Sequence, residues 1–430
     1  MSVLAARSEP IDTIRRTYLI ARLAAWIGAA AVHLAAAVVA SVRDRIRHTP
    51  GSALAHRLTR LFVQLGPTFI KGGQLLSTRA DLLPPHWCAA LGRLHDRVGQ
   101  MPPGHARRAL ERAYPAGSWP FAEFDWTVVA SGSIACVYRA RLHDGREVAV
   151  KVRRPDIARR MRADFRLLAA GAGLGQRLPG LSRVPMRRMV DQVALAVLRQ
   201  LDLAHEAVAL DQLRRNLAGL IRVPAPIPDA CGDGVLVMEF VHPLERFGPG
   251  DLTREQRRDV VRRVLQGVYR MLFVDGLVHC DMHPGNLYLD RAEQVVLLLD
   301  AGFVVEFGPA VKRLFAEFFL NMSTGRGDAC AEVILRSAEH VPAGADLVAF
   351  RDGIRKLVSA SHGRPAGEFR LAPFATSLFD LQRRSGIAAA PEFVFPLLSL
   401  LVLEGMINKL DVDVDFQAEA VPILLKVLRH

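Results

Sequence analysis

The stretch that most restricts this chain runs from Leu277 to Gly302. It reads Leu277-Val278-His279-Cys280-Asp281-Met282-His283-Pro284-Gly285-Asn286, and further on Leu297-Leu298-Leu299-Asp300-Ala301-Gly302. Moving a phosphoryl group needs little covalent help from a protein. It needs positioning, a carboxylate near the attacking hydroxyl, and ligands for the metal that neutralises the phosphates. Asp281 is the candidate catalytic base, and Asn286, five residues on, a candidate metal ligand. Asp300, after a short apolar strand, is the second candidate ligand. An HxDxxxxN run followed by such a strand and DxG is a specific combination. Two plainer readings stand beside it. One is a turn followed by a hairpin. The other is a metal cluster of His279, Cys280, Asp281 and His283, which is disfavoured because adjacent side chains seldom converge on one ion and no second ligand pair lies nearby.

Upstream, Glu147-Val148-Ala149-Val150-Lys151-Val152 alternates as a strand that presents Lys151. The chain has only six lysines, Lys71, Lys151, Lys312, Lys356, Lys409 and Lys426, against many arginines. A lysine kept here suits a compact phosphate contact. Glu206, in the helical run Leu201–Leu213, is its candidate partner. The stretch Val129–Tyr138 carries Ser131, Gly132 and Ser133, small residues that let backbone approach a phosphate. Gly171-Ala172-Gly173-Leu174-Gly175 follows a helix rather than a strand, so it lacks dinucleotide-binding context. The strand Val235–Val241 leads into a linker, where Glu239 and Val241 are candidate nucleotide contacts.

The organisation agrees with a two-lobed enzyme. Residues 1–50 read as a hydrophobic, basic helix, and 51–120 as a helical extension whose second helix spans 53–79. Pro84-Pro85 and Pro102-Pro103-Gly104 bracket a short helical hairpin. Residues 121–243 form a small β-containing lobe with a turn at His143-Asp144-Gly145 and helices over 156–178 and 186–217. Residues 244–430 form a helical lobe, with a helix over 254–275 and almost only helix past 309. The apolar run Phe395–Gly405 is interrupted by Glu404 and is expected to be a core helix, not a span. The expected class is therefore α+β: a bilobal, protein-kinase-like fold with an N-terminal helical extension.

Composition narrows the partners. The net charge is +13. Residues 1–60 hold nine arginines against Glu9, Asp12 and Asp44. That excess would attract anionic lipid or simply form a solvated face. No aromatic-interleaved basic stretch or zinc-finger spacing is present, so nucleic acid is not an expected partner. The five cysteines are dispersed without CxxC pairs, which points to a reducing compartment. Leu23–Val42 is twenty residues without Asp, Glu, Lys or Arg, nine of them Ala. A membrane-lying or buried helix is the preferred reading. A single span and a cleaved signal are the others. The expected location is cytoplasmic and membrane-associated.

Taken together these motifs resemble the UbiB family of atypical kinases, which includes aarF-domain proteins, over roughly residues 55–410. Lys71-Gly72-Gly73-Gln74 matches the family's KxGQ signature. Ala130–Tyr138 matches its Ala-rich loop, and Lys151 the strand lysine. Leu201-Asp202-Leu203 and Glu206-Ala207 match the ExD region and helix glutamate. His279–Asn286 matches the catalytic loop, and Asp300-Ala301-Gly302 the DFG-type metal site. The resemblance implies ATP and Mg²⁺ as cofactors, and catalysis by Asp281, Lys151 and Lys71. It further implies restraint by Gln74, Gln200 and Asp202, and work on a membrane lipid or isoprenoid quinone precursor. Departures fall at Gln200, where an acid is usual, and at Gly132, Cys136 and Ala301. Two other functions remain open: an aminoglycoside-type small-molecule phosphotransferase, and a nucleotide-gated lipid-binding scaffold without turnover.

Overall fold

The computed structural model describes residues 16–46, 52–77, 85–94, 99–176, 186–242, 245–246, 252–282, 285–290, 293–362, 371–390, 414 and 416–429. Between 393 and 407 it describes Phe393, Leu397, Leu400, Leu403, Glu404 and Ile407. The chain divides into two compact units, Met1–Leu203 with Gly232–Val235, and Ala204–Cys231 with Leu236–His430.

The first unit begins with four helices: α1 (Arg16–Ile46), α2 (Ser52–Leu65), α3 (Pro67–Ser77) and α4 (Pro85–Gly92). The helix expected over 53–79 is two helices. Gly66 adopts φ +101°, a conformation that favours glycine, and Pro67 opens the next helix with its φ preset and no N–H to waste. Arg160 seals the break by donating to the Leu65 carbonyl at 3.0 Å. The extension then closes around its own aromatic rings. Trp26 of α1 meets Phe69 of α3 edge to face at 4.9 Å, and Ala29 and Leu65 complete the cluster. A Cβ on Gly73 would lie 2.5 Å from Leu94 and 2.8 Å from Phe62, so the glycine lets α3 seat against α2 and the Leu94 turn. A helix (α5, Pro103–Ala113) leads to an antiparallel meander of β1 (Phe121–Ser131), β2 (Ala135–Leu142) and β3 (Glu147–Arg153). The β2–β3 turn falls at His143-Asp144-Gly145 as expected, with Gly145 at φ +87°. Helices α6 (Ile157–Gly175) and α7 (Met186–Arg199) complete the unit. The Gly171–Gly175 stretch lies inside α6.

One fully buried carboxylate ties three of these helices together. Asp164 of α6 accepts from Thr68 Oγ1 of α3 at 2.6 Å and from Arg22 Nε of α1 at 2.8 Å. Its side chain is 0% exposed. A buried charge survives only when paired and hydrogen-bonded in this way. Among the described residues no helix is long and apolar enough to cross a membrane. The spanning reading of residues 23–42 is therefore not supported; α1 packs one face on the extension and leaves Ile20, Leu23 and Ile27 exposed.

The second unit holds α8 (Leu203–Asn216), β4 (Ile221–Arg222), β5 (Val235–Glu239), β6 (Glu245–Arg246), α9 (Arg254–Tyr269), β7 (Leu277–His279), β8 (Leu287–Asp290), β9 (Val295–Leu298) and β10 (Val304–Glu306). The helix expected over 186–217 thus breaks at Gln200–Asp202. The helix expected over 254–275 widens after Tyr269 into a π-type turn, with the Gly276 N–H reaching back to the Met271 carbonyl at 2.9 Å. Helices α10 (Pro309–Ser323), α11 (Gly327–Ser337), α12 (Leu347–Ser361), α13 (Leu371–Arg384) and α14 (Phe416–Leu428) follow. In the Phe395–Gly405 run, Leu397, Leu400, Leu403 and Glu404 are all buried. Glu404 accepts from the Leu371 N–H at 2.6 Å. The described residues of that run lie in the core, as expected.

Candidate functional site

Two short ribbons in the second unit present the Asp281 and Asp300 loops. β8 and β9 pair antiparallel with Leu287 opposite Leu298, so the strand after Asn286 and the strand before Asp300 run side by side. β7 and β10 pair with His279 opposite Val304. These registers bring the residues before Asp281 next to those after Asp300.

His279 joins the two loops. It is fully buried. Its Nδ1 accepts from the Asp281 N–H at 3.2 Å, so the ring proton is assigned to Nε2, which donates to the Asp300 carbonyl at 2.8 Å. The partners fix the tautomer. Asn286 Nδ2 donates to the Asp281 carbonyl at 2.9 Å. That turns its amide oxygen, the end able to ligate a hard cation, away from the bond. Asp300 Oδ1 accepts from the Gly302 N–H at 2.8 Å. A Cβ on Gly302 would stand 3.2 Å from that oxygen and 3.5 Å from Glu206 Oε2, so glycine is the residue that fits. Glu206 is buried and its Oε1 accepts from the Ala301 N–H at 3.5 Å. Ala301 is itself fully buried. Asp281 and Asp300 are half-buried.

Of the alternative metal cluster, only His279, Cys280 and Asp281 fall among the described residues. Among the described residues no group of three or more His, Cys, Asp and Glu is placed to hold an ion. His279 spends both ring nitrogens on the backbone. Burial, and then the neighbouring Asp281, push the Cys280 thiol well above its ordinary range. His283 lies outside the described residues.

In the first unit, Lys151 stands on β3 opposite Val137 and is half-buried. The β1–β2 loop closes as a tight turn, with the Gly132 N–H donating to the Ala135 carbonyl at 2.9 Å. A Cβ at Gly132 would sit 3.3 Å from that carbonyl. Ser131 Oγ donates to the Gly99 carbonyl at 3.0 Å and accepts from Arg154 at 3.0 Å. Arg154 also holds the Gly132 carbonyl at 3.0 Å. The Ser131 hydroxyl braces the loop, and Ser133 is buried. Lys71 is half-buried on α3, and Gln74 donates to the Leu94 carbonyl at 3.2 Å. Gln200 is buried and bonds back to the Ala196 carbonyl at 3.2 Å; Asp202 is exposed. Lys151 and Glu206 belong to different units.

Glu239 ends β5 in the second unit, and Val241 just beyond is buried. The Glu239 carboxylate is engaged by Arg222 at 2.8 Å. Arg222 also reaches Asp290 at 3.4 Å and Glu293 at 3.6 Å, and its pairing with Glu239 raises its already high pKa. Arg154 and Arg222 carry this local architecture, and no reading of the sequence singled them out.

The chain is 32% identical, over 394 residues, to "Probable protein kinase UbiB" of Yersinia pestis (strain Pestoides F). The same figures hold for its namesake in Yersinia pseudotuberculosis serotype O:1b (strain IP 31758). These matches cover 89% of this chain and 72% of each relative. The sequence profile of the ABC1 atypical kinase-like domain matches residues 93–334. The chain belongs to this family. Membership makes it a kinase-type phosphotransferase, and the α+β, bilobal kinase-like expectation holds. Among solved structures, the fold resembles the Rv3197–erythromycin complex from Mycobacterium tuberculosis. The TM-score is 0.55 at 20% identity, over 81% of this chain and 90% of that one.

Proposed function

We propose that this ABC1-family chain binds Mg–ATP and uses Asp281 to orient or deprotonate the group that attacks the γ-phosphate. The observation that carries this reading is the His279 bridge, which sets Asp281 and Asp300 on one buried, neutral ring. The donor chemistry fits the cation. One carboxylate from Asp300 and one amide oxygen from Asn286 are the hard oxygen ligands that Mg²⁺ takes alongside phosphate oxygens and water. When bound, the ion would neutralise charge on the transferring phosphoryl group. Lys151 would contact the nucleotide phosphates with Glu206 as its partner. The backbone at Gly132 and Ser133 would cover the phosphates, and backbone at Glu239 and Val241 would meet the base. Lys71 would reach the same site from α3, and Gln74, Gln200 and Asp202 would restrain it.

A membrane lipid or isoprenoid quinone precursor is the proposed target. The family resemblance implies it, and the exposed apolar face of α1 beside an arginine-rich segment is in keeping with it. The test is ATP turnover by wild type and Asp281→Asn, with and without anionic liposomes, across an Mg²⁺ titration. Turnover that depends on Mg²⁺ and vanishes in Asp281→Asn supports the reading. Equal turnover by the two proteins overturns it, and nucleotide binding without turnover in wild type would favour the scaffold reading.

A further inference from the structure

Arg154 stands just past β3, three residues on from Lys151. The groups it holds all lie in the first unit. Its Nε donates to the Gly132 carbonyl at 3.0 Å. Its Nη2 donates to Ser131 Oγ at 3.0 Å and to the Gly99 carbonyl. Its main-chain N–H donates to the Ile134 carbonyl at 2.8 Å. One residue thus takes two carbonyls and a hydroxyl of the β1–β2 turn, and joins that turn to Gly99, just ahead of α5.

The strands β1 and β2 pair as far as Ser131 opposite Cys136. Beyond that pair, the Gly132 N–H closes the turn on the Ala135 carbonyl at 2.9 Å. With Arg154 in place, the carbonyls of Gly132, Ile134 and Ala135 are all engaged. A phosphate is repelled by carbonyl oxygens and held by backbone N–H groups. A turn whose carbonyls are already drawn onto other donors is set in a form that can cover one. The choice of arginine matters. Its planar fork fixes several acceptors relative to one another, whereas the ammonium of lysine is a point charge on a flexible stem.

We propose that Arg154 is a positioning residue for the nucleotide. Through its grip on Gly132, Ser131 and Gly99, it sets the conformation in which the β1–β2 turn meets the phosphates of Mg–ATP. It acts through the turn, because Nε and Nη2 are committed to the oxygens of the turn and of Gly99. This inference deepens the Mg–ATP reading and rests on it.

The test compares full-length wild type, Arg154→Ala and Arg154→Lys, with circular dichroism confirming that each is folded. Each is titrated calorimetrically with Mg–ATP and with adenosine, and turnover is followed across ATP concentrations. Arg154→Ala is expected to bind Mg–ATP about tenfold more weakly than wild type. Its KM for ATP should rise far more than its kcat falls, because Asp281 and Asp300 stand on other loops. Adenosine, which has no phosphate for the turn to meet, should bind all three proteins alike. Arg154→Lys keeps the charge but not the fork, so it should not recover the affinity. In the ligand-free variants the Gly132 amide should exchange its hydrogen about tenfold faster than in wild type. Wild-type affinity for Mg–ATP in Arg154→Ala overturns the inference; where that variant does not fold, wild-type affinity in Arg154→Lys does so. Full recovery by lysine would mean a charge acting on the phosphates directly, and a loss shared equally by adenosine would mean a merely structural role. Either result also overturns the inference, and all of these leave the Mg–ATP reading standing. Wild type that binds Mg–ATP no more tightly than adenosine overturns that reading, and the inference with it.

Discussion

At the scale of single residues, the reactive loops rest on contacts too close to tolerate an added atom. Gly302→Ala would set a methyl group 3.2 Å from Asp300 Oδ1 and turn that carboxylate. The expected result is a Mg–ATP affinity about tenfold lower, read as a smaller thermal shift with Mg–ATP, with little change in the ligand-free Tm. Asp300→Asn should weaken Mg–ATP more, whereas Asp281→Asn should keep the thermal shift and lose turnover. The carboxylate-to-amide exchange is nearly isosteric, so both proteins should melt within about 1 kcal/mol of wild type. Asp281, Asn286 and Asp300 could be singled out in the sequence because their spacing matches what phosphoryl transfer asks of a protein. Arg154 and Arg222 were not. Each acts through partners far away along the chain, Arg154 on Gly99 and Ser131 and Arg222 on Asp290. Nothing local separates them from the other arginines of this Arg-rich chain.

At the scale of elements, apolar periodicity foretold helices but not their interruptions. The pattern runs on through Gly66-Pro67 and through Gln200–Asp202 because both sides of each break are apolar. A break costs the periodicity nothing, and only the backbone angle at Gly66 or the turn after Arg199 reveals it. A glycine within a helix admits a close neighbour. The approach at Gly73 is made by Phe62 and Leu94, so Gly73→Ala should cost about 1–3 kcal/mol by overpacking, measured as a lowered denaturant midpoint. The Asp164 clasp makes a pH prediction. Burial raises the Asp164 pKa above its ordinary value. The folded state therefore holds this proton more tightly than the unfolded state. Its contribution is greatest below the ordinary carboxylate range and is lost as pH rises through the raised value. The stability of wild type relative to Asp164→Asn should then be greater at pH 5 than at pH 7.5 in urea melts. A difference that grows toward pH 7.5 would instead show that Arg22 and Thr68 favour the ionised form, and would overturn the raised value.

At the scale of the whole molecule, the family was legible because its motifs fall in order along the chain, each in its own element. Attachment to a membrane is an expectation carried by hydropathy and charge, and the structure changes how to test it. Deleting α1 would uncover Phe69 and strip Arg22 from the buried Asp164, confusing loss of attachment with loss of fold. Ile20→Ser combined with Ile27→Ser alters the exposed face alone. This double variant should pellet less with anionic liposomes while keeping the wild-type Tm. Lys71→Ala should change steady-state ATP turnover although Lys71 lies on the helical extension; rates and nucleotide affinity equal to wild type would separate the extension from the chemistry. The β7–β10 ribbon has one more consequence. Val278, His279 and Cys280 are laced to Phe303, Val304 and Val305, and the His279 ring fastens the Asp281 amide to the Asp300 carbonyl. In hydrogen–deuterium exchange these amides would open together as one cooperative unit. Their protection would rise and fall in step, so that a disturbance on the Asp300 side is read at the Asp281 amide.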